Sequence, residues 1–219
     1  MSNTPCPTRR RLLLAAAAIA TIAVLPACGR KTRGQAVPAG SVVLALGDSL
    51  TQGVGTSSPA HAWPAVFERL SGWRMVNGGV SGDTSDMALA RLPDLLREHR
   101  PQLVIVSIGG NDFLHQQSGA ATRDNIRAIV QQSQSAGAQV LLVAEPQPSI
   151  AAALGSVSDH PMFAELAGEL RVPLVENAWS DILSDEKLRS DRIHANDAGY
   201  EQFARELLKA TQNLGLAPR

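Results

Sequence analysis

The chain has 219 residues, a formal net charge of zero and a pI near 7.0. Once a leader is removed, that length suits one domain with a sizeable core, and 44% hydrophobic residues exclude a disordered chain. The balanced charge gives no electrostatic basis for a nucleic-acid partner, because such binding rests on Lys and Arg neutralising phosphates.

The N-terminus reads as an address. Arg9, Arg10 and Arg11 form a positive region, and an apolar run extends from Leu12 to Leu25. The run is shorter than the roughly 20 residues a membrane span needs, and it suits a secretory signal. The arginines also resemble a twin-arginine export signal, although they serve the general export route equally well. Leu25-Pro26-Ala27-Cys28 looks like a bacterial lipobox, with Pro26 as a departure from the usual pattern. Residues 1–27 are therefore expected to be a lipoprotein signal peptide, with Cys28 as the lipidation site and membrane anchor. The expected location is the periplasmic or cell-surface face. The alternative is ordinary cleavage near Ala27, which leaves a soluble periplasmic or secreted protein. Residues 28–40, rich in Gly, Lys, Arg and Pro, read as a flexible tether. The domain itself is expected over 41–219.

The body contains neither of the two cysteines, Cys6 and Cys28. It therefore has no disulfide, thiolate nucleophile or cysteine-ligated metal. Val42–Gly47 is a short apolar run closed by glycine, hence a buried strand. Ala62–Leu70 has helical spacing, with Pro64 tolerated in the first turn. Arg74–Asn77 is a short strand. Thr84–His99 reads as a helix with Met87, Leu89, Leu92, Leu95 and Leu96 on one face, kinked at Pro93. Leu103–Ile108 is a central strand. Thr122 can cap a helix that stops at Gly137. Val140–Ala144, Pro161–Leu170 and Val172–Val175 come next as strand, helix and strand. Asn196 can cap a last helix over Asp197–Asn213.

Strands alternate with helices, and the strands are nearly continuous apolar runs, as expected when both faces are covered. The fold class is α/β: a three-layer α/β/α sandwich with a parallel, flavodoxin-like sheet. Ligands bind such sheets at the carboxyl ends of the strands. The residues just beyond each strand are therefore informative. After the first comes Gly47-Asp48-Ser49-Leu50-Thr51-Gln52-Gly53, and after the second Asn77-Gly78-Gly79-Val80-Ser81-Gly82-Asp83-Thr84. After the third comes Gly109-Gly110-Asn111-Asp112, and near the C-terminus Asp191-Arg192-Ile193-His194. Four polar patches thus converge on one edge.

These blocks resemble those of the SGNH/GDSL hydrolases, whose Ser, Gly, Asn and His match Ser49, Gly82, Asn111 and His194 in order. The likeness spans about Val42 to Leu208 and is greatest to bacterial thioesterase/lysophospholipase and arylesterase members. It implies a serine ester hydrolase working through an acyl-enzyme, on short-acyl esters, lysophospholipids or thioesters. Ser49 would be the nucleophile, His194 the base and Asp191 the residue that orients the imidazole. The oxyanion hole would be made by the Ser49 N–H, the Gly82 N–H and the Asn111 amide. No cofactor and no metal is implied, and the oligomeric state is open. The G-x-S-x-G elbow of the α/β-hydrolases is absent.

Plainer readings stand beside each role. Ser49 could be a helix cap, Gly82 a turn residue, Asn111-Asp112 an Asx-turn and Asp191–His194 a surface ion pair. Asp112-Phe113-Leu114-His115 is a second D-x-x-H, which spacing alone does not reject. His61, His99 and His160 read as surface or structural, and Trp63, Phe67 and Trp73 as core. The stretch from Glu145 through Ser149 to Ser158 should border the acyl pocket. Glu145 there places a carboxylate where a long acyl chain would lie, which is costly for an unpaired carboxylate beside alkyl chains; the alternative is that it points away or pairs with an arginine. That disfavours long acyl thioesters. Two other functions remain: a cell-envelope glycan O-deacetylase, or a non-catalytic surface lipoprotein that keeps the fold.

Overall fold

The computed structural model describes residues 1–2, 32–147 and 157–218. The chain divides into Met1–Arg30 and Lys31–Arg219. Most of the expected signal peptide, Cys28 and residues 148–156 thus lie outside the described residues. Among the described residues, no helix is long and apolar enough to cross a membrane.

The second unit is an α/β/α sandwich on a five-stranded parallel sheet. Its strands are β1 (Val42–Gly47), β2 (Arg74–Gly79), β3 (Leu103–Ser107), β4 (Gln139–Val143) and β5 (Leu174–Val175), in the order β2-β1-β3-β4-β5. The helices are α1 (Ser49–Gln52), α2 (Trp63–Ser71), α3 (Ser85–His99), α4 (Gly110–Leu114), α5 (Gly119–Ser135), α6 (Met162–Leu170), α7 (Ala178–Ser184) and α8 (Asp197–Asn213). Strand direction sorts the apolar side chains. Val43, Ala45, Ile105 and Val143 face a layer formed by α2, α7 and α8. Leu44, Leu46, Val104, Val106 and Leu142 face α3, α5 and α6. Period-two alternation with apolar residues on both faces is why these strands read as unbroken hydrophobic runs. The first layer holds an aromatic stack in which the Trp179 and Phe203 rings lie 3.6 Å apart and Trp63 leans on Phe203 at 5.4 Å.

Several local expectations are corrected. Thr122 is not a cap: α5 starts at Gly119 behind Ser118, and Thr122 is buried inside it, donating to Asp112 Oδ1 at 3.1 Å. An N-cap signal was present, but Ser118 is also eligible and a tertiary partner takes Thr122. Met87 is 53% exposed, and Ala88 occupies the core position beside Leu92 and Leu96. β5 begins two residues later than expected, and β2 runs two residues further, to Gly79.

The segment read as a tether is partly built into the domain. The Gly34 N–H donates to Leu214 O at 2.9 Å, Val37 N–H to Leu216 O at 2.8 Å and Gly40 N–H to Gly72 O at 2.8 Å. Gln35 and Gln139 exchange two further bonds. Val37 is buried, and its carbonyl accepts from the Trp73 indole at 3.2 Å. A composition rich in Gly and Pro concealed one apolar anchor and the backbone groups that the C-terminal turn was left to pair. Gln139 opens β4, so this strap enters at the amino edge of the sheet.

The opposite edge is where β1 changes neighbours, between β2 and β3. Gly47 lies level with Gly79 on one side and Ser107 on the other. This is the topological switch point of the fold, where the loops leaving adjacent strands diverge and open a crevice.

Candidate active site

Ser49 begins α1 directly beyond β1. Asp48, not Ser49, caps that helix: its Oδ1 accepts the Leu50 N–H at 3.0 Å. The serine hydroxyl is left for other work. His194 Nε2 lies 3.0 Å from Ser49 Oγ, and His194 Nδ1 lies 2.7 Å from Asp191 Oδ2. Asp191 Oδ1 accepts the Ile193 and His194 N–H groups, both at 2.8 Å, so the carboxylate organises its own loop as well as the ring. A bridge between Arg189 and Ala195 and a bond from Ser190 N–H to His194 O close that loop. The first-strand loop packs on it: a Cβ on Gly55 would lie 2.5 Å from Ala195 O. The Tyr200 hydroxyl donates to Val54 O at 2.7 Å. Ser49 and His194, distant in sequence, are thereby held together.

The His194 side chain is 14% exposed and that of Asp191 is 54% exposed. Burial pushes the Asp191 carboxyl up, but the His194 ring and the two loop N–H groups outweigh it, and its pKa lies below the ordinary carboxylate value. It therefore stays ionised wherever the histidine can act as a base.

The other two loops reach the same place. Val80 N–H donates to Gly47 O at 3.1 Å and Ser81 N–H to Gln52 Oε1 at 2.8 Å, which seats the second-strand loop on β1 and α1. Gly82 has φ of 84°, in the left-handed region that favours glycine, and open space lies where a Cβ would point. Among the described residues, neither the Ser49 N–H nor the Gly82 N–H has an acceptor. The Asn111 amide donates to Asp83 O at 2.8 Å and, at a long 3.4 Å, to Asp48 Oδ2. Asp83 is held by Arg91, whose Nε lies 2.7 Å from Asp83 Oδ2 and whose Nη2 donates to Gly47 O at 2.9 Å.

The second D-x-x-H does not form a pair. Asp112 is fully buried and accepts from Ser85 N–H, the Ser85 hydroxyl and Thr122. It pins the starts of α3 and α5, so the Asx-turn reading of Asn111-Asp112 also falls away. His115 is exposed at the end of α4. His61 Nδ1 lies 2.9 Å from Ser57 Oγ and 3.3 Å from Asp197, on the surface. His160 stacks on Phe113 at 4.3 Å.

Sequence reasoning missed three supports of the site. Arg91 and Gln52 brace the second loop, and Tyr200 braces the first. Nothing in local spacing links Arg91 to a carbonyl on β1. Of the two alternatives for Glu145, the arginine pairing is the one not found among the described residues. Glu145 is 1% exposed and, among the described residues, pairs with no arginine. Its Oε1 accepts from Ser107 Oγ at 2.6 Å, and Ser107 in turn accepts from the Trp179 indole at 2.9 Å. Both partners lie on neighbouring elements and neither is charged. Among the described residues, no group of three or more His, Cys, Asp or Glu is placed to hold a metal.

Residues 45–202 match the model of the GDSL-like lipase/acylhydrolase family. The chain belongs to that family. It is 35% identical over 179 residues to the thioesterase 1/protease 1/lysophospholipase L1 of Escherichia coli K12, covering 80% of this chain and 86% of that protein. An arylesterase of Vibrio mimicus is 28% identical, over 76% of this chain and 88% of its own. The crystal structure of TesA superposes with a TM-score of 0.70 at 27% identity, covering 79% of this chain and 99% of that one. In this member of the GDSL-like family, Ser49, Gly82, Asn111 and His194 lie beyond the strands at one sheet edge.

Proposed function

We propose that this GDSL-family protein is a serine carboxylic ester hydrolase acting through an acyl-enzyme. The observation that carries the reading is the hydrogen-bond chain from Ser49 through His194 to Asp191, with 3.0 and 2.7 Å steps. His194 Nε2 accepts the Ser49 proton as Oγ attacks the ester carbonyl carbon, and the carbonyl π electrons move onto oxygen. When the tetrahedral intermediate collapses, the C–O bond to the leaving group breaks and His194 returns the proton to that oxygen. Water then repeats the sequence on the acyl-serine and releases the acid. The Asp191 carboxylate fixes the ring and offsets the imidazolium charge. The Ser49 and Gly82 N–H groups and the Asn111 amide stabilise the oxyanion. An oxyanion would replace the long Asn111 contact to Asp48 and leave the shorter bond to Asp83 O in place.

Val80 and Ile193, on two of the loops that carry the site, and Leu114, at the end of α4, are exposed large apolar residues. They favour a substrate with an apolar acyl or alcohol portion over a sugar acetate. Short-acyl esters and lysophospholipids remain the favoured substrates. A series of p-nitrophenyl esters of increasing chain length tests this directly, with turnover expected to be highest among the short members. On the best substrate, Asn111→Ala should lower kcat by about 10²–10³ while KM changes little, because the amide meets full negative charge only in the transition state. An unchanged kcat would remove Asn111 from the oxyanion hole.

Anchoring through Cys28 is part of the same proposal. The described chain enters the domain at the amino edge of the sheet, on the far side from Ser49. Metabolic labelling with a fatty acid should mark the wild type and not Cys28→Ser. A wild type that takes up no label and fractionates as wholly soluble contradicts the anchor.

A further inference from the structure

The triad and its oxyanion donors leave one buried acid unused. Glu145 comes just after β4 and lies beneath the loop that carries Asn111. Its Oε1 has a single donor, the Ser107 hydroxyl, and its Oε2 has no hydrogen-bond partner among the described residues. Asp48, also buried, is a second acid on this side of the site. The two carboxyls approach the same point of backbone. A Cβ on Gly110 would lie 3.6 Å from Asp48 Oδ2 and 3.7 Å from Glu145 Oε2. Gly110 directly precedes Asn111, whose amide reaches the same Asp48 oxygen.

Two carboxylates this close in a dry setting do not both ionise. The partners decide which one does. Asp48 has the Leu50 N–H, the Asn111 amide and His194 on its side, and Glu145 has one hydroxyl. Further negative groups surround the pair: Asp83 beside Asp48, itself paired with Arg91, and Asp159 beside Glu145. Asp191 and the Tyr200 hydroxyl approach from the C-terminal loop and α8, and His160 is next in the chain after Asp159.

Resting on the hydrolase reading, we propose that Glu145 is a positioning residue for the oxyanion hole, held as a neutral acid so that no second negative charge lies beneath the Asn111 amide. Burial and the neighbouring Asp48 push the Glu145 carboxyl well above its ordinary value. Burial likewise raises Asp48 to about 7, opposed by the Leu50 N–H and the His194 charge. Once Glu145 loses its proton, the new charge opposes the oxyanion and competes for the Asn111 amide. Rising pH should therefore slow the chemical step and leave substrate binding alone.

The test compares wild type with Glu145→Gln, which keeps size and cannot ionise. The infrared difference spectrum at neutral pH should show the carbonyl stretch of one protonated carboxyl that the variant lacks. Titrated upward, wild-type kcat should fall at least tenfold with the same midpoint at which that band disappears, while KM holds. The variant should lose less than twofold over the same range. A merely structural glutamate would give the two proteins parallel pH profiles. No protonated band at neutral pH overturns the proposal, and so does band loss without a fall in kcat. An equal alkaline fall in both proteins does the same. Labelling of Ser49 by a fluorophosphonate is read separately: if it fails, the hydrolase reading fails, whatever Glu145 does.

Discussion

Replacing Ser49 by alanine is expected to abolish ester hydrolysis, with kcat falling on the order of 10⁶-fold, as when a triad nucleophile is removed. The fold should survive, because the substitution deletes one hydroxyl and no capping bond. Asp48, not Ser49, supplies the side-chain cap of α1, and the backbone bond from Gly53 N–H to Ser49 O does not involve the side chain. Thermal unfolding should therefore be little changed. A fluorophosphonate should form one covalent adduct, mapped to Ser49, and the alanine variant should take up none. An adduct on another residue, or activity within tenfold of wild type, removes Ser49 from the reaction. The same pair of results separates a hydrolase from a surface protein that merely keeps the fold.

The second large effect concerns the two D-x-x-H sequences. His194→Ala should reduce kcat by at least about 10³-fold, since the base that receives the serine proton is gone. His115→Ala should stay within about threefold of wild type, as expected for an exposed side chain with no role in the site. The asymmetry is geometric. His194 Nε2 is 3.0 Å from Ser49 Oγ, within the reach that proton transfer needs, whereas Asp112 is occupied by Ser85 and Thr122 and leaves His115 without an orienting carboxylate. Asp191→Asn should cost less than His194→Ala by at least about tenfold, because loss of the third triad member alone is milder. Since Asp191 is already pulled below the ordinary carboxylate value, its own protonation should limit activity only in strong acid. If His115→Ala were the inactive variant and His194→Ala the active one, the C-terminal loop would have no part in catalysis.

Much of the architecture was legible because it is written at short range. Val42–Gly47 and Leu103–Ser107 are apolar on both faces, and only a strand covered on both sides needs that pattern. Asn196 caps α8 through its own side chain onto Gly199 N–H, a bond between neighbours in sequence. Alternation of strands and helices leads to the parallel sheet, and a parallel sheet leads to the edge at which the four polar blocks must gather. The bound that slipped at α5 is a place where two residues could serve locally and a distant partner chose. Thr122 was drawn away by Asp112, and Ser118 was left to start the helix.

By itself, then, the sequence determined which polar blocks follow the strands and that they share one sheet edge, since periodicity and turn chemistry act between near neighbours. Only the tertiary structure decided among side chains that spacing left equal. It separated His194 from His115, because approach to Ser49 depends on loops that Tyr200 and Gly55 hold together across most of the chain. It gave Glu145 a hydroxyl partner in place of an arginine and buried it beside Asp48. It took residues 34–40 out of the tether, because Val37 finds a buried slot that the C-terminal turn and Trp73 complete. Each of these outcomes rests on a contact between groups far apart in sequence, and the energy of such a contact exists only once the chain has closed around it.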